Sequence, residues 1–126
     1  MKMLLAVAFG GALGAMGRHL VTGQVIRWAG VGFPWGTVAV NVLGSFALGA
    51  LTEFLALKWS ASPEMRGLMV VGILGGFTTF SAFSLDTVLL LERGDLLPAL
   101  GYVIGHVALS VGGLFAGLQI FRYLLT

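Results

Sequence analysis

Hydroxyl groups and aromatic rings are interleaved in one stretch of an otherwise apolar sequence. The stretch runs from Gly72 to Ser84, reads GILGGFTTFSAFS, and carries Phe77, Phe80 and Phe83 among threonines and serines. Hydroxyl groups can donate hydrogen bonds to an anion, and the edge of an aromatic ring is positive. Such groups can contact an anion without the fixed charge that would hold it too tightly for conduction. The pattern is compatible with a pore lining, although an aromatic stripe more often forms core or contacts lipid.

The same stretch has a weak preference for regular helix. Gly75 and Gly76 precede the adjacent threonines Thr78 and Thr79, and both residue types are poor helix formers. A break near residues 75–79 would free backbone groups, which inside a membrane must be buried in protein or line a wet cavity. Freed carbonyls at the end of a half-helix can coordinate a cation such as Na⁺. A continuous helix whose hydroxyl groups bond to their own preceding turn is an equally good interpretation.

Two further segments carry polar side chains at helical spacing. Thr37 and Asn41 lie four residues apart, and Tyr102, His106 and Ser110 repeat the same interval, so each set shares one face of a helix. Asn41 could join helices or donate to a dehydrated anion, because its amide must find a partner inside a membrane. His106 could be a packing residue, a proton carrier or a hydrogen-bond donor.

The ionisable residues exclude several function classes. No nucleophile–base pair or phosphate-binding motif is visible, so we expect that the protein is not an enzyme. The net charge of +2 is too small to indicate a nucleic-acid partner. No His, Cys or carboxylate has ligand spacing with His106, which makes metal binding by side chains improbable.

The composition places these residues in a lipid bilayer. Of the 126 residues, 58% are hydrophobic and 10% are charged, whereas about a quarter are charged in a soluble domain. Three uncharged stretches each approach or exceed the roughly 20 residues that cross a hydrocarbon core. A fourth, at the N-terminus, is followed by Arg18, which can reach the headgroups; a cleaved signal peptide is the less favoured alternative. The sequence predicts an all-α integral membrane protein with a single domain, 1–126, and spans at about 3–22, 36–57, 65–91 and 97–122.

Basic residues are almost balanced between the two sides of such a bundle. The N-terminal side holds Lys2, Lys58, Arg66 and Arg122, and the opposite side holds Arg18, Arg27 and Arg93. Orientation follows the difference in Lys and Arg between sides, and four against three barely favours either. One interpretation is a single orientation fixed by other factors. The other is that copies insert both ways and pair antiparallel, which would supply the inverted repeat that many transporters contain.

Three motifs together resemble the small fluoride channels of the CrcB/Fluc family over essentially the whole chain. They are GGFTTFSAFS at 75–84, GTVAVNVLG at 36–44 and GAMGR at 14–18. The resemblance implies a multi-pass protein of the bacterial plasma (inner) membrane that forms an antiparallel, dual-topology homodimer with a broken third helix. It also implies two pathways for passive fluoride efflux, which confers fluoride resistance, and a central structural Na⁺.

The resemblance also implies roles for individual residues. Na⁺ would be held through the backbone carbonyls of Gly75 and Thr78, and Arg18 and Asp86 would lie at the vestibule. The fluoride pathway would be lined by Thr37, Asn41, Phe80, Ser81, Phe83, Tyr102, His106 and Ser110. Three positions depart from the family pattern: Ala82 where Thr is common, Asp86 where Glu is usual, and Leu114 where a hydroxyl is often found.

Two other functions are compatible with a small apolar bundle. A dual-topology exporter of cationic drugs would need a carboxylate within the membrane, and the first predicted helix has none. A non-transporting membrane assembly subunit is the second alternative. In that case Phe80 and Phe83 would tolerate substitution without loss of fluoride resistance.

Overall fold

The computed structural model describes residues 1–126, and all regular elements are helices. Helix α1 comprises Lys2–Ala29 and α2 comprises Trp35–Leu57. A third helical segment covers Pro63–Glu92, and the last covers Leu96–Leu125. All four are long and apolar enough to cross a membrane. The prediction of an all-α membrane protein with four such helices is confirmed.

The first and last helices are longer than the spans predicted from the charged residues. They contain 28 and 30 residues, which corresponds to about 42–45 Å at 1.5 Å per residue, against about 30 Å of hydrocarbon. A charged residue therefore marks the edge of the apolar region rather than the end of the helix, because Lys and Arg side chains extend to the headgroups.

The third segment contains three kinds of backbone. Pro63–Arg66 opens it, and the Ser62 side chain accepts a hydrogen bond from the Met65 amide as an N-cap. Gly67–Leu74 is π-helical and Gly75–Phe77 is α-helical; residues 63–77 together are called α3. Thr78 and Thr79 have extended dihedral angles (φ −82°, ψ 159° and φ −154°, ψ 116°). Helix α4 then covers Phe80–Glu92, and α5 is the last helix, Leu96–Leu125.

Glycines bring α1 and α3 into backbone contact. A Cβ atom on Gly14 would overlap the carbonyl oxygen of Ile73, and one on Gly76 would lie 2.8 Å from the carbonyl oxygen of Gly11. Small residues allow helix backbones to approach this closely in a membrane, where packing drives association. The wide π-helical turns of α3, which are rare over this length, lie directly against this glycine face of α1.

A second glycine contact joins α2 and α5. A Cβ atom on Gly49 would overlap the carbonyl oxygen of Leu114, and one on Gly117 would overlap that of Phe46. Near the ends of the same two helices, Arg122 donates two hydrogen bonds to Glu53, at 2.7 and 3.2 Å. The fold is therefore two tightly packed helix pairs, and the non-helical residues 78–79 reach from the first pair to the second.

We expect Gly14→Ala to destabilise the protein and Gly23→Ala to leave it unchanged or slightly stabilised. Both residues lie in α1, but a Cβ atom at Gly23 meets nothing within 4 Å. The Gly14 methyl group must separate two backbones, which costs roughly 1–3 kcal/mol, whereas alanine at an open helical site gains up to about 1 kcal/mol over glycine. Thermal unfolding in detergent, followed by size exclusion, measures both variants. Equal melting temperatures would contradict the contact.

Candidate ion pathway

Asn41 of α2 holds the non-helical backbone between α3 and α4. The Thr79 amide donates to Asn41 Oδ1 at 2.7 Å, and Asn41 Nδ2 donates to the Thr79 carbonyl at 2.8 Å. Both residues are buried. A buried backbone amide and carbonyl that leave a helix need partners elsewhere, and a single carboxamide satisfies both of them here. The Asn41 side chain therefore stabilises the non-helical backbone at Thr79.

Thr79 also begins α4. Its side-chain oxygen accepts a hydrogen bond from the Ala82 amide at 3.1 Å, which is N-capping by a residue type well suited to it. The Ser81 hydroxyl lies 3.2 Å from the same Thr79 oxygen. All three polar groups of Thr79 are thus engaged, so the position of the break is fixed by side chains as well as by weak helix propensity.

Asn41 also connects the break to α5. Its Nδ2 atom lies 2.9 Å from His106 Nε2. The imidazole packs against two aromatic rings, with centroid distances of 4.6 Å to Phe83 and 5.0 Å to Tyr102. The second ring nitrogen, His106 Nδ1, is buried without a hydrogen-bond partner, and so is the Ser110 hydroxyl. Two polar groups are therefore left unsatisfied beside the Asn41 contact.

A cavity of about 310 Å³ connects these groups. It is lined by seven of the predicted pathway and ion-site residues, namely Asn41, Gly75, Thr78, Phe80, Phe83, His106 and Ser110. Phe80 lies at the same cavity with 77% of its surface exposed, and its ring centroid is 5.4 Å from that of Phe83. The lining contains no Lys, Arg, Asp or Glu.

Thr37, Asp86 and Tyr102 form a separate polar cluster. Thr37 Oγ1 and the Tyr102 hydroxyl both donate to Asp86 Oδ2, at 2.6 and 3.0 Å. No basic side chain forms a salt bridge with Asp86, so two neutral donors stabilise the carboxylate. Tyr102 also connects this cluster to the first cavity, because its ring contacts the rings of Phe83 and His106.

Arg18 and Ser81 face a second cavity rather than the first. This cavity, of about 530 Å³, is lined by Arg18, Thr37 and Ser81, among others. Thr79 lines both cavities and forms part of the wall between them. The structure therefore divides the predicted pathway residues into two groups, and Ser81 does not lie with Phe80 and Phe83 even though it is adjacent to Phe80 in sequence.

Comparison with known proteins decides the family. The family described as CrcB-like protein, Camphor Resistance (CrcB), matches residues 5–118. The chain belongs to the CrcB family. This confirms the resemblance inferred from the three sequence motifs.

Full-length relatives of this CrcB-family chain carry the name fluoride-specific ion channel FluC. The relative from Rhodospirillum centenum is 54% identical over 122 residues, or 97% of each chain. The relative from Chelativorans sp. is 54% identical over 125 residues, or 99% of this chain and all of the relative. The relative from Rhizobium meliloti is 51% identical over 122 residues, or 97% of this chain and 98% of the relative.

Backbone carbonyls at the break of the CrcB-family chain have lost their helical partners. The Thr79 amide bonds to Asn41 instead of the Gly75 carbonyl, and the Ala82 amide bonds to the Thr79 hydroxyl instead of the Thr78 carbonyl. None of the backbone hydrogen bonds outside the regular helices goes to either carbonyl. Such oxygens are the ligands that hard cations prefer. The carbonyls of Gly75 and Thr78 thus fit a cation, but two oxygens are fewer than a full coordination shell needs.

Sequence reasoning missed the roles of Thr79 and Gly44. The sequence marks Thr79 as a poor helix former with a hydroxyl group, but its two backbone hydrogen bonds to Asn41 make it the centre of the site. A Cβ atom on Gly44 would overlap the Thr78 side chain, so glycine at that position lets the break pack against α2. The signal for Gly44 was its place one helical turn after Asn41, on the face that meets the break.

Proposed function

We propose that this CrcB-family chain is a fluoride-selective channel that carries out passive fluoride efflux and so confers fluoride resistance. The observation that carries the proposal is the cavity between α2, α4 and α5, which has unsatisfied polar groups and aromatic rings but no charged side chain. The name shared by its full-length relatives supports the choice of fluoride.

The chemistry of fluoride favours such a lining. A small, strongly hydrated anion enters an apolar layer only where donors replace its water, since an unsolvated ion there is very unfavourable. Uncharged donors and ring edges compensate for the lost water without binding the ion so tightly that it cannot leave. The rings of Phe80 and Phe83 are in contact, with centroids 5.4 Å apart, so an ion would pass along their edges, where a larger halide would need more room.

We propose that the working unit is an antiparallel, dual-topology homodimer in the bacterial inner membrane. Phe80 is largely exposed although it lines the cavity, so a second copy would be needed to enclose the route. The nearly equal numbers of basic residues on the two sides support insertion in both orientations. Two copies would also place two sets of Gly75 and Thr78 carbonyls at the shared face.

A central Na⁺ is part of this proposal. The unpaired carbonyls of Gly75 and Thr78 would hold it. When bound, the ion would supply a positive potential that favours anions in the neighbouring cavity. The chain's own contribution is to present those oxygens, which it does by diverting two amides to Asn41 and to the Thr79 hydroxyl.

Efflux from liposomes tests the function. We expect purified protein to release trapped fluoride rapidly, as measured with a fluoride electrode, while trapped chloride is retained. Protein-free liposomes serve as the control. Equal release of the two halides, or no fluoride release above that control, would contradict the proposal.

Labelling tests the topology independently. The chain has no cysteine, so a single Ser60→Cys substitution in the loop before α3 gives a unique site for an impermeant thiol reagent. We expect about half of the protein to react from each side of the membrane. Labelling from one side only would exclude dual topology.

A further inference from the structure

Arg27, near the end of α1, has no partner within the chain. Three other arginines, Arg66, Arg93 and Arg122, each donate to a backbone carbonyl or to a carboxylate. No salt bridge involves Arg27, and its side chain is exposed. Because a guanidinium carries five N–H donors, this residue is free to bind an acceptor outside the chain.

Arg27 borders a notch of about 380 Å³ in the surface of α1. This helix alone forms the notch, from His19, Leu20, Val21, Gly23, Gln24 and Arg27. His19, Gly23 and Arg27 follow one another at intervals of four residues and so share one face of the helix. A Cβ atom at Gly23 would meet nothing within 4 Å. The missing side chain in the middle of this face therefore leaves an open space between an imidazole and a guanidinium.

The notch lies at the depth of the lipid headgroups. The predicted first span ends at residue 22, and α1 continues to Ala29. The headgroup layer adds about 5–7 Å to each side of the hydrocarbon core, which corresponds to about four or five helical residues. Residues 23–27 therefore occupy this layer. Trp28 and Trp35 are 79% and 48% exposed at the same end of the bundle, as is typical of tryptophan at a membrane interface.

The lining of the notch suits an anionic headgroup. It contains no Asp or Glu, Arg27 supplies a positive charge, and the Gln24 amide supplies two donors. The planar guanidinium matches the oxygen geometry of a phosphate group. Leu20, which is 70% exposed, lies one helical turn deeper than Gln24, where an acyl chain would run. The face is therefore basic at headgroup depth and apolar below it.

We propose that the Gly23 notch binds the phosphate group of an anionic phospholipid, with Arg27 as its charged ligand and Gln24 as a further donor. A zwitterionic lipid carries the same phosphate, but its ammonium group would find no carboxylate in the notch and would lie close to Arg27. Gly23, Gln24 and Arg27 line neither of the two cavities that meet at Thr79. Lipid binding at this notch would therefore not depend on fluoride transport.

Native mass spectrometry of the full-length protein in detergent tests the binding. Dioleoyl phosphatidylglycerol and dioleoyl phosphatidylcholine have the same acyl chains and differ in net charge. We expect the first to bind about fivefold more tightly, at a single site on each chain. It should also raise the melting temperature more than the second does, since a ligand that binds only the folded state stabilises it. Equal affinities for the two lipids would overturn the proposal.

Two substitutions in α1 separate the charge of the notch from its shape. Arg27→Gln removes the charge and should weaken phosphatidylglycerol binding about fivefold. Gly23→Leu keeps the charge but fills the notch, and we expect a similar loss. The control for charge is Arg66→Gln, because Arg66 is also exposed but donates to the Ala61 carbonyl. The control for shape is Gly101→Leu, at another open glycine near the same side of the membrane. Neither control should change the binding.

Four further results would overturn the lipid site. An equal loss in Arg27→Gln and Arg66→Gln would mean that net charge alone attracts the lipid, and unchanged binding in Gly23→Leu would mean that the notch is not the site. Displacement of the lipid by inorganic phosphate would indicate a site for free anions. Phosphatidylglycerol bound to monomers but not to dimers would mean that a second copy covers this face. The comparison of the two lipids uses wild-type protein and stays valid if a variant fails to fold.

Discussion

Asn41→Asp is expected to abolish fluoride transport. A carboxylate can accept from the Thr79 amide, but its other oxygen would face the Thr79 carbonyl oxygen and His106 Nε2, which now lie 2.8 and 2.9 Å from Asn41 Nδ2. It would also put a negative charge on the wall of the cavity through which we propose that fluoride passes. At about 5 Å and an effective dielectric constant of 20, repulsion of a second anion is roughly 3 kcal/mol, or about a hundredfold in occupancy.

The measurement is fluoride efflux from liposomes, together with growth in fluoride of a sensitive bacterium that expresses the variant. Gln119→Glu is the matched control. It also converts an amide into a carboxylate, but on the exposed surface of α5, where we expect efflux to stay close to that of the wild type. Efflux by Asn41→Asp within twofold of wild type would show that Asn41 does not face the ion route.

The helices could be predicted from the sequence because their cause is local. Three uncharged stretches are long enough to cross a hydrocarbon core, and the first helix follows once Arg18 is allowed to reach the headgroups. The partners of the polar side chains have no such local cause. Thr37 and Asn41 share a helical face, yet Thr37 bonds to Asp86 and Asn41 bonds to Thr79, residues 49 and 38 positions away. The spacing of residues along a helix predicts which side chains share a face, but it does not predict their hydrogen-bond partners.

Ser81 shows the same limit at shorter range. Its place between Phe80 and Phe83 suggested a common lining, but successive residues on a helix point about 100° apart. Ser81 therefore faces the cavity of Arg18, and the phenylalanines face that of His106. The direction in which each side chain of α4 points depends on where the break lies. The position of the break depends in turn on the hydrogen bonds of Thr79 with Asn41 on α2. The π-helical turns of α3 were likewise not predictable, since they arise where this segment packs against the glycines of α1.

Phe83→Ile is expected to reduce fluoride efflux at least tenfold while the protein still folds. Phe83 is almost fully buried and its ring lies 4.6 Å from that of His106 and 5.4 Å from that of Tyr102. Isoleucine keeps most of the apolar volume but removes the positive ring edge that can contact an anion. The substitution also removes the aromatic contact that orients the imidazole of His106. Together the two losses amount to about 1.5–3 kcal/mol, which corresponds to a roughly tenfold to hundredfold decrease in fluoride efflux.

Phe115→Ile is the matched control, because the Phe115 ring is on the exposed surface of α5 and lines neither cavity. Melting temperature in detergent separates a packing defect from a transport defect: we expect Phe83→Ile to lower it modestly and efflux to fall much further. Isoleucine is apolar and similar in size, so it would fill a purely structural role as well as phenylalanine does. Unchanged fluoride efflux in Phe83→Ile would therefore mean that the Phe83 ring only packs in the core. The proposed contact of this ring with the anion would then be wrong.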